Sequence, residues 1–132
     1  MNIPTDLLYT RDHEWLRVEG GEGSMGITDY AQGELGDIVF LDLPDVGKAV
    51  AQGKSFGSIE AVKAAADLNA PISGTISAIN PALEHGPETI NQSPYGEGWI
   101  VKIKISNPAE TANLMNAKAY GEWVEQSHGE SH

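Results

Sequence analysis

The sequence predicts a mainly β fold, with one short internal helix and helices closing the C-terminus. Three observations carry this. Short alternating or β-branched stretches recur, among them EWLRVE (14–19), DIVFLDL (37–43) and WIVKIKI (99–105). Pro44, Gly47, Gly53 and Gly57 punctuate one span at the short intervals of barrels and sandwiches. Helical spacing with capping signals is clearest after Thr28 and after Asn107.

Taken in order, residues 14–19 alternate through Trp15, Leu16, Arg17 and Val18 and read as a strand. Gly20, Gly21, Gly23 and Gly26 mark a turn and a short second strand. Thr28 as cap, Asp29 in the first turn and Gly36 at the end predict a short helix. Residues 37–43 form the clearest strand, and SGTISAIN (73–80) is another, entered through Gly74. The Pro- and Gly-rich run from 81 to 98 is expected to be loop, with 94–99 a packed part of it and Trp99 in the core. Lys102 and Lys104 share one face of a half-exposed strand over 99–105. Asn107 as cap, Pro108 at the first position and Glu110 at the third predict a helix start. Leu114, Met115, Tyr120, Trp123 and Val124 then follow at helical spacing. Residues 1–126 are expected to form one domain and 127–132 (SHGESH) a frayed tail.

The chain has 132 residues, 40% hydrophobic and 20% charged, which suits a folded domain burying roughly two-thirds of its unfolded surface. The formal charge of −11 argues against nucleic acid or an anionic membrane as a partner. It favours a soluble monomer that meets basic patches. There are no cysteines, so disulfides, thiolate metal sites and cysteine nucleophiles are excluded. His85 falls in the expected loop and His128 and His132 in the tail, so no metal-ligand cluster is expected. No apolar run approaches the 18 residues of a membrane span, and MNIPTDLLYTRDHEW resembles neither a signal nor a transit peptide. The expectation is a cytoplasmic protein, or a mature form from the mitochondrial matrix.

The stretch IEAVKAAADLNAPI (59–72) places Lys63 among small apolar residues, with Glu60 and Asp67 on either side. Ile59, Val62 and Ala66 stand at i, i+3 and i+7, and VKAAADL is rich in helix formers. One reading is a two-turn helix stopped by Pro71, with Lys63 solvated and paired to Asp67. The other is a β-hairpin tipped by Lys63, although the Asn-Gly or Gly-X of a tight turn is absent. Local rules leave both open.

Gly47-x-x-Val50-x-x-Gly53, Glu60-Ala61-Val62-Lys63, Asp67, and Ala70-Pro71-x-Ser73-Gly74-x-Ile76 resemble the biotinyl/lipoyl-carrier family. That resemblance implies a flattened β-barrel, a barrel-sandwich hybrid of two pseudo-symmetric halves, with the modified lysine on an exposed hairpin turn. Val62 and Ala64 stand where biotin carriers usually have methionines. Val62 also departs from the Asp-Lys-Ala of 2-oxoacid dehydrogenase lipoyl domains. The chain is similar from about residue 7 to residue 125 to the H proteins of the glycine cleavage system. Tyr9-Thr10 with His13-Glu14-Trp15, Gly26-Ile27-Thr28-Asp29-Tyr30-Ala31-Gln32, Leu35-Gly36-Asp37-Ile38-Val39-Phe40, Glu60-x-Val62-Lys63-Ala64, Ile90-Asn91 and Pro94-Tyr95-Gly96-x-Gly98-Trp99 carry the likeness in order. Ala61 stands where that family commonly has serine.

The resemblance implies a non-catalytic carrier of glycine catabolism and one-carbon metabolism, with lipoate joined covalently to Lys63 as a swinging arm. Its partners would be a pyridoxal-phosphate glycine decarboxylase (the P protein), the tetrahydrofolate-dependent aminomethyltransferase (the T protein), the flavoenzyme dihydrolipoamide dehydrogenase (the L protein) and a lipoyl ligase or transferase. The arm would take an aminomethyl group from the first to the second and reducing equivalents to the third. Missing cysteines suit such a carrier, since a protein thiolate would exchange with a cycling disulfide. Glu60, Val62 and Asp67 are expected to be recognised by the lipoylating enzyme. If the turn is centred on Lys63 and Ala64, Val62 faces Ala65 and Glu60 faces Asp67. Glu14, Asp12 and Asp67 are expected to line a cleft for the cationic end of the loaded arm, with His13 structural beside Trp15. The rivals are a hydrolase, for which no G-x-S-x-G elbow occurs, a biotin carrier, and an unmodified lipoyl-like protein acting in interaction or lipoyl relay.

Overall fold

Among the described residues, nine strands in two antiparallel sheets enclose the main core. The structure, a computed structural model, describes residues 2–130, with backbone alone for 127–130. One sheet has six strands: β1 (Leu8–Tyr9), β2 (Glu14–Glu19), β3 (Glu22–Ile27), β9 (Val101–Ile105), β8 (Gly74–Ile79) and β5 (Ala49–Val50), in that spatial order. The other has three, with β6 (Ser55–Ala61) between β4 (Ile38–Asp42) and β7 (Ala65–Asn69). Leu16, Met25, Ile59, Leu68, Ile76 and Ile103 are essentially inaccessible and fill the space between the sheets. The expected mainly β barrel-sandwich is therefore what the chain forms.

α1 (Asp29–Leu35) begins and ends where its capping residues predict. Thr28 Oγ1 accepts the Ala31 N–H at 3.2 Å, and Gly36 leaves the helix at φ +79°, a conformation that disfavours any Cβ. The run from 81 to 98 is not all loop, because α2 (Ala82–His85) and α3 (Thr89–Gln92) form inside it. Each spans a single turn, too short to leave a period in the sequence. Leu83 and Ile90 anchor them in the core.

Asn107 does not cap an α-helix through its side chain; Pro108–Asn113 is a 3-10 turn instead. Glu110 is drawn away to Ser73, accepting its N–H at 2.8 Å and its hydroxyl at 2.9 Å. Leu114 and Met115 lie outside the helix they were expected to join. Met115 exchanges backbone hydrogen bonds with Tyr9, both 2.8 Å, and only then does α4 (Ala117–Glu130) begin. That helix enters the segment expected to be tail; residues 131 and 132 lie outside the described residues.

α4 covers the outer face of β1 and β2, which is why Glu14, Trp15 and Leu16 are buried in succession without alternating. Trp15 lies over Gly26, where a Cβ would stand 2.9 Å from the indole nitrogen. Its Nε1–H donates to Pro94 O at 2.8 Å, so the 94–99 loop is packed as expected, while Trp99 is only half-buried. Tyr120 from α4 stacks on Tyr9, with ring centroids 4.6 Å apart. Its hydroxyl meets Thr28 Oγ1 at 2.6 Å and His13 Nδ1 at 2.9 Å. His13, at φ +67°, is thus structural, its ring held between Tyr120 of α4 and Tyr30 of α1 and not stacked on Trp15. Tyr120→Phe should cost about 1–2 kcal/mol in urea unfolding, since it strips a partner from the buried Thr28 hydroxyl.

Candidate functional site

The central stretch is a hairpin and not a helix. β6 and β7 pair antiparallel with Glu60 opposite Ala65, Ile59 opposite Ala66 and Ser58 opposite Asp67. Of the residues at helical spacing, Ile59 drops into the core with Leu68 from the partner strand, whereas Val62 and Ala66 are exposed. Tertiary burial overrides the helix propensity of the alanines.

The tip differs from the expected one by a residue. Ala61 N–H donates to Ala64 O at 3.0 Å, which leaves Val62 and Lys63 at the apex in place of Lys63 and Ala64. Glu60 therefore faces Ala65, and the expected opposition of Glu60 to Asp67 does not occur. The two acids are diagonal neighbours on one exposed face and line a shallow groove with Ser58 and Ala65. The reason for the shift lies outside the hairpin. Val62 N–H donates to Asp37 O and Lys63 N–H to Leu35 O, each at 3.0 Å. Acceptors at the last residue of α1 and two residues beyond it thus decide which two residues stand at the apex. Lys63 is exposed, its stem beside Gly36, and Val62 is 70% exposed. Val39 and Phe40 add exposed apolar surface on neighbouring β4.

A second cluster lies at the far end of β7. Glu14 is only 1% exposed. Its carboxyl accepts the Thr10 hydroxyl at 2.7 Å and the Asn69 N–H at 3.1 Å. Burial pushes its pKa up to about 8, outweighing those hydrogen bonds, with the Asp12 carboxylate adding a smaller upward push. Asp12 accepts from the Asn69 side-chain amide at 3.1 Å. Thr10, Arg11, Asp12, Glu14, Gln52 and Ala70 are among the residues bordering a cavity of about 250 Å³. Asp67 does not line it; the fold groups Asp67 with Glu60 and brings only Glu14 and Asp12 together here. Asn69, which joins the two acids, was not picked out from sequence. Its place at the strand end before Ala70-Pro71 was the available signal.

Asn91 is another residue whose part was not foreseen. It sits on α3 and makes three hydrogen bonds around residues 32–38. Its only trace in the sequence was membership of the Ile90-Asn91 pair. Among the described residues no cluster of three or more His, Asp or Glu side chains could hold a metal ion.

The glycine cleavage H-protein family model matches residues 7–127. A glycine cleavage system H protein of Symbiobacterium thermophilum is 51% identical over 125 residues, covering 95% of this chain and 98% of the relative. One from Salinibacter ruber is 52% identical over 122 residues, covering 92% and 98%. The crystal structure of a glycine cleavage system H protein from Mycobacterium marinum superposes with a TM-score of 0.83 at 39% identity, covering 96% of this chain and 99% of that one. With the hairpin, the two sheets and the sequence signatures all in agreement, the chain belongs to the glycine cleavage H-protein family.

Proposed function

We propose that this chain is the lipoyl-bearing carrier of a glycine cleavage system, with lipoate in amide linkage to Lys63. The observation that supports this best is the exposed ammonium at the apex of the β6–β7 hairpin, in a chain of this family. A hairpin tip is open to the several proteins that must reach it in turn, and the site fits an acyl group because no side chain crowds the apex into the core. When attached, lipoate supplies a reducible disulfide on a long arm. The chain's own residues present it and shelter its far end.

Glu60, Val62 and Asp67 form the surface that a lipoyl ligase or transferase reads. Glu14 and Asp12 border the cavity that would receive a cationic group at the end of the loaded arm. Asn69 lies six residues beyond Lys63, about 20 Å along an extended strand. The arm therefore has to lie back along β7 to approach it. Burial favours the neutral form of the Glu14 carboxyl, and an entering ammonium would draw it to the ionised form. The carrier itself catalyses nothing. Glycine decarboxylase, aminomethyltransferase and dihydrolipoamide dehydrogenase are its partners, met one after another by a protein of net charge −11. The relatives above are bacterial, and no described helix is long and apolar enough to cross a membrane. A bacterial cytoplasm is the proposed compartment.

Intact-mass measurement on protein made with lipoate and biotin both present tests the reading. One lipoyl adduct, mapped to Lys63 by peptide fragmentation, is the expected result. A biotinyl adduct, or no adduct in the presence of an active ligase, overturns it.

A further inference from the structure

Lys63 stands on a turn that does not hold its own shape. Two-residue hairpin turns that follow the strand twist need a positive φ at one or both central residues. Among the described residues only His13 has a positive φ without being glycine, so Val62 and Lys63 form a turn of another kind. The Val62 and Lys63 amides are satisfied from outside, by Asp37 O and Leu35 O. Those two carbonyls flank Gly36, and one side chain fixes the segment that bears them. Asn91 Nδ2 donates to Gly36 O at 2.9 Å and to Gln32 Oε1 at 3.0 Å. Its Oδ1 accepts from Ile38 N–H at 2.9 Å. A single carboxamide thus holds both sides of the loop that holds the tip. Gly36 contributes what it lacks: a Cβ there would stand 3.1 Å from Lys63 Cγ and 3.3 Å from Cδ, so the lysine stem lies across a bare α-carbon.

We propose that Asn91 is a positioning residue for acylation of Lys63, clamping the 35–38 loop so that the hairpin tip is held in the shape the modifying enzyme binds. The inference rests on Lys63 being the attachment point. Asn91 acts through the loop and makes none of its hydrogen bonds to the lysine. Its influence therefore falls on recognition: a tip already ordered spares the enzyme the entropy of ordering it. The acceptor KM should carry the effect, and kcat should not.

The test combines two measurements on the full chain, wild type against Asn91→Ala and Asn91→Asp. The first is amide hydrogen exchange of Val62 and Lys63 by NMR, with Ile59 and Ile103 as core references. The second is the initial rate of lipoylation by a lipoate ligase, with lipoate and ATP, as acceptor concentration is varied. In Asn91→Ala the tip amides should exchange about tenfold faster while the core references keep their rates. The acceptor KM should rise about fivefold or more, with kcat within about twofold. Asn91→Asp keeps the acceptor for Ile38 N–H but sets a carboxylate oxygen against Gly36 O, and should fall between wild type and Asn91→Ala. If Asn91→Ala does not fold, Gln32→Ala, which removes one of the three bonds, takes its place with smaller changes in the same direction. Unchanged tip exchange, acceleration of all amides together, or a change in kcat without one in KM overturns the clamp. Wild type that takes up no lipoate sinks the carrier reading and the clamp with it; modified wild type with indifferent variants sinks the clamp alone.

Discussion

A chain carrying Lys63→Arg is expected to gain no lipoyl mass and to support no release of carbon dioxide from glycine when mixed with the other components. Arginine keeps the positive charge and much of the stem. Its guanidinium, however, stays protonated at any pH the protein survives and offers no amine for an amide bond. The side chain is exposed, so unfolding in urea should match wild type within about 0.5 kcal/mol. The loss is then one of chemistry and not of folding. Lys48, Lys54, Lys102, Lys104 and Lys118 provide internal controls. A lipoyl adduct on any of them, with activity retained, would refute the assignment of Lys63.

The second large effect is a pH dependence of stability set by Glu14. Burial pushes its carboxyl up to about 8 in the folded protein, from an ordinary value of 4.5. Below the lower value both states are protonated. Between the two, the unfolded chain has lost a proton that the native protein keeps, so unfolding releases a proton and rising pH favours it. The slope approaches about −1.4 kcal/mol per pH unit inside that window and vanishes above it. Urea unfolding at pH 5, 6, 7 and 8 should therefore show wild type losing roughly 2–4 kcal/mol from this group, as an order of magnitude. In Glu14→Gln the oxygen can still accept from Asn69 N–H, and the amide can donate to the Thr10 hydroxyl. That variant should lose most of the slope and gain stability relative to wild type toward pH 8. Equal slopes in the two proteins would show that the carboxyl ionises freely in the fold.

Much of the fold was legible because its signals are local. Thr28 and Gly36 bound α1 as capping chemistry requires, and β2, β4, β8 and β9 lie within a residue or two of their alternating stretches. What escaped was decided by distant partners. Nothing near Met115 says that its backbone will pair with Tyr9, about a hundred positions away in the chain. The hairpin register turned on carbonyls at residues 35 and 37, so counting from the lysine put the apex one residue late. Glu60 and Asp67 consequently share a groove without facing each other. The burial of Glu14 was hidden in the same way. EWLRVE reads as a strand with one wet face, but α4 covers Trp15 on that face while Thr10 and the end of β7 at Asn69 close over Glu14 on the other. The proposal of Lys63 as the attachment point came from the ordered set of family signatures, since local propensity left helix and hairpin both open.

The order of strands in the larger sheet bears on synthesis of the chain. β9, the last strand to be made, lies between β3 and β8 and pairs with both. A nascent chain still short of residue 105 therefore has two unpaired ladders where the middle of its sheet should be, on edges that invite intermolecular pairing. The hairpin that presents the lysine has by then been translated, yet the sheet beneath it cannot close until β9 has cleared the ribosome.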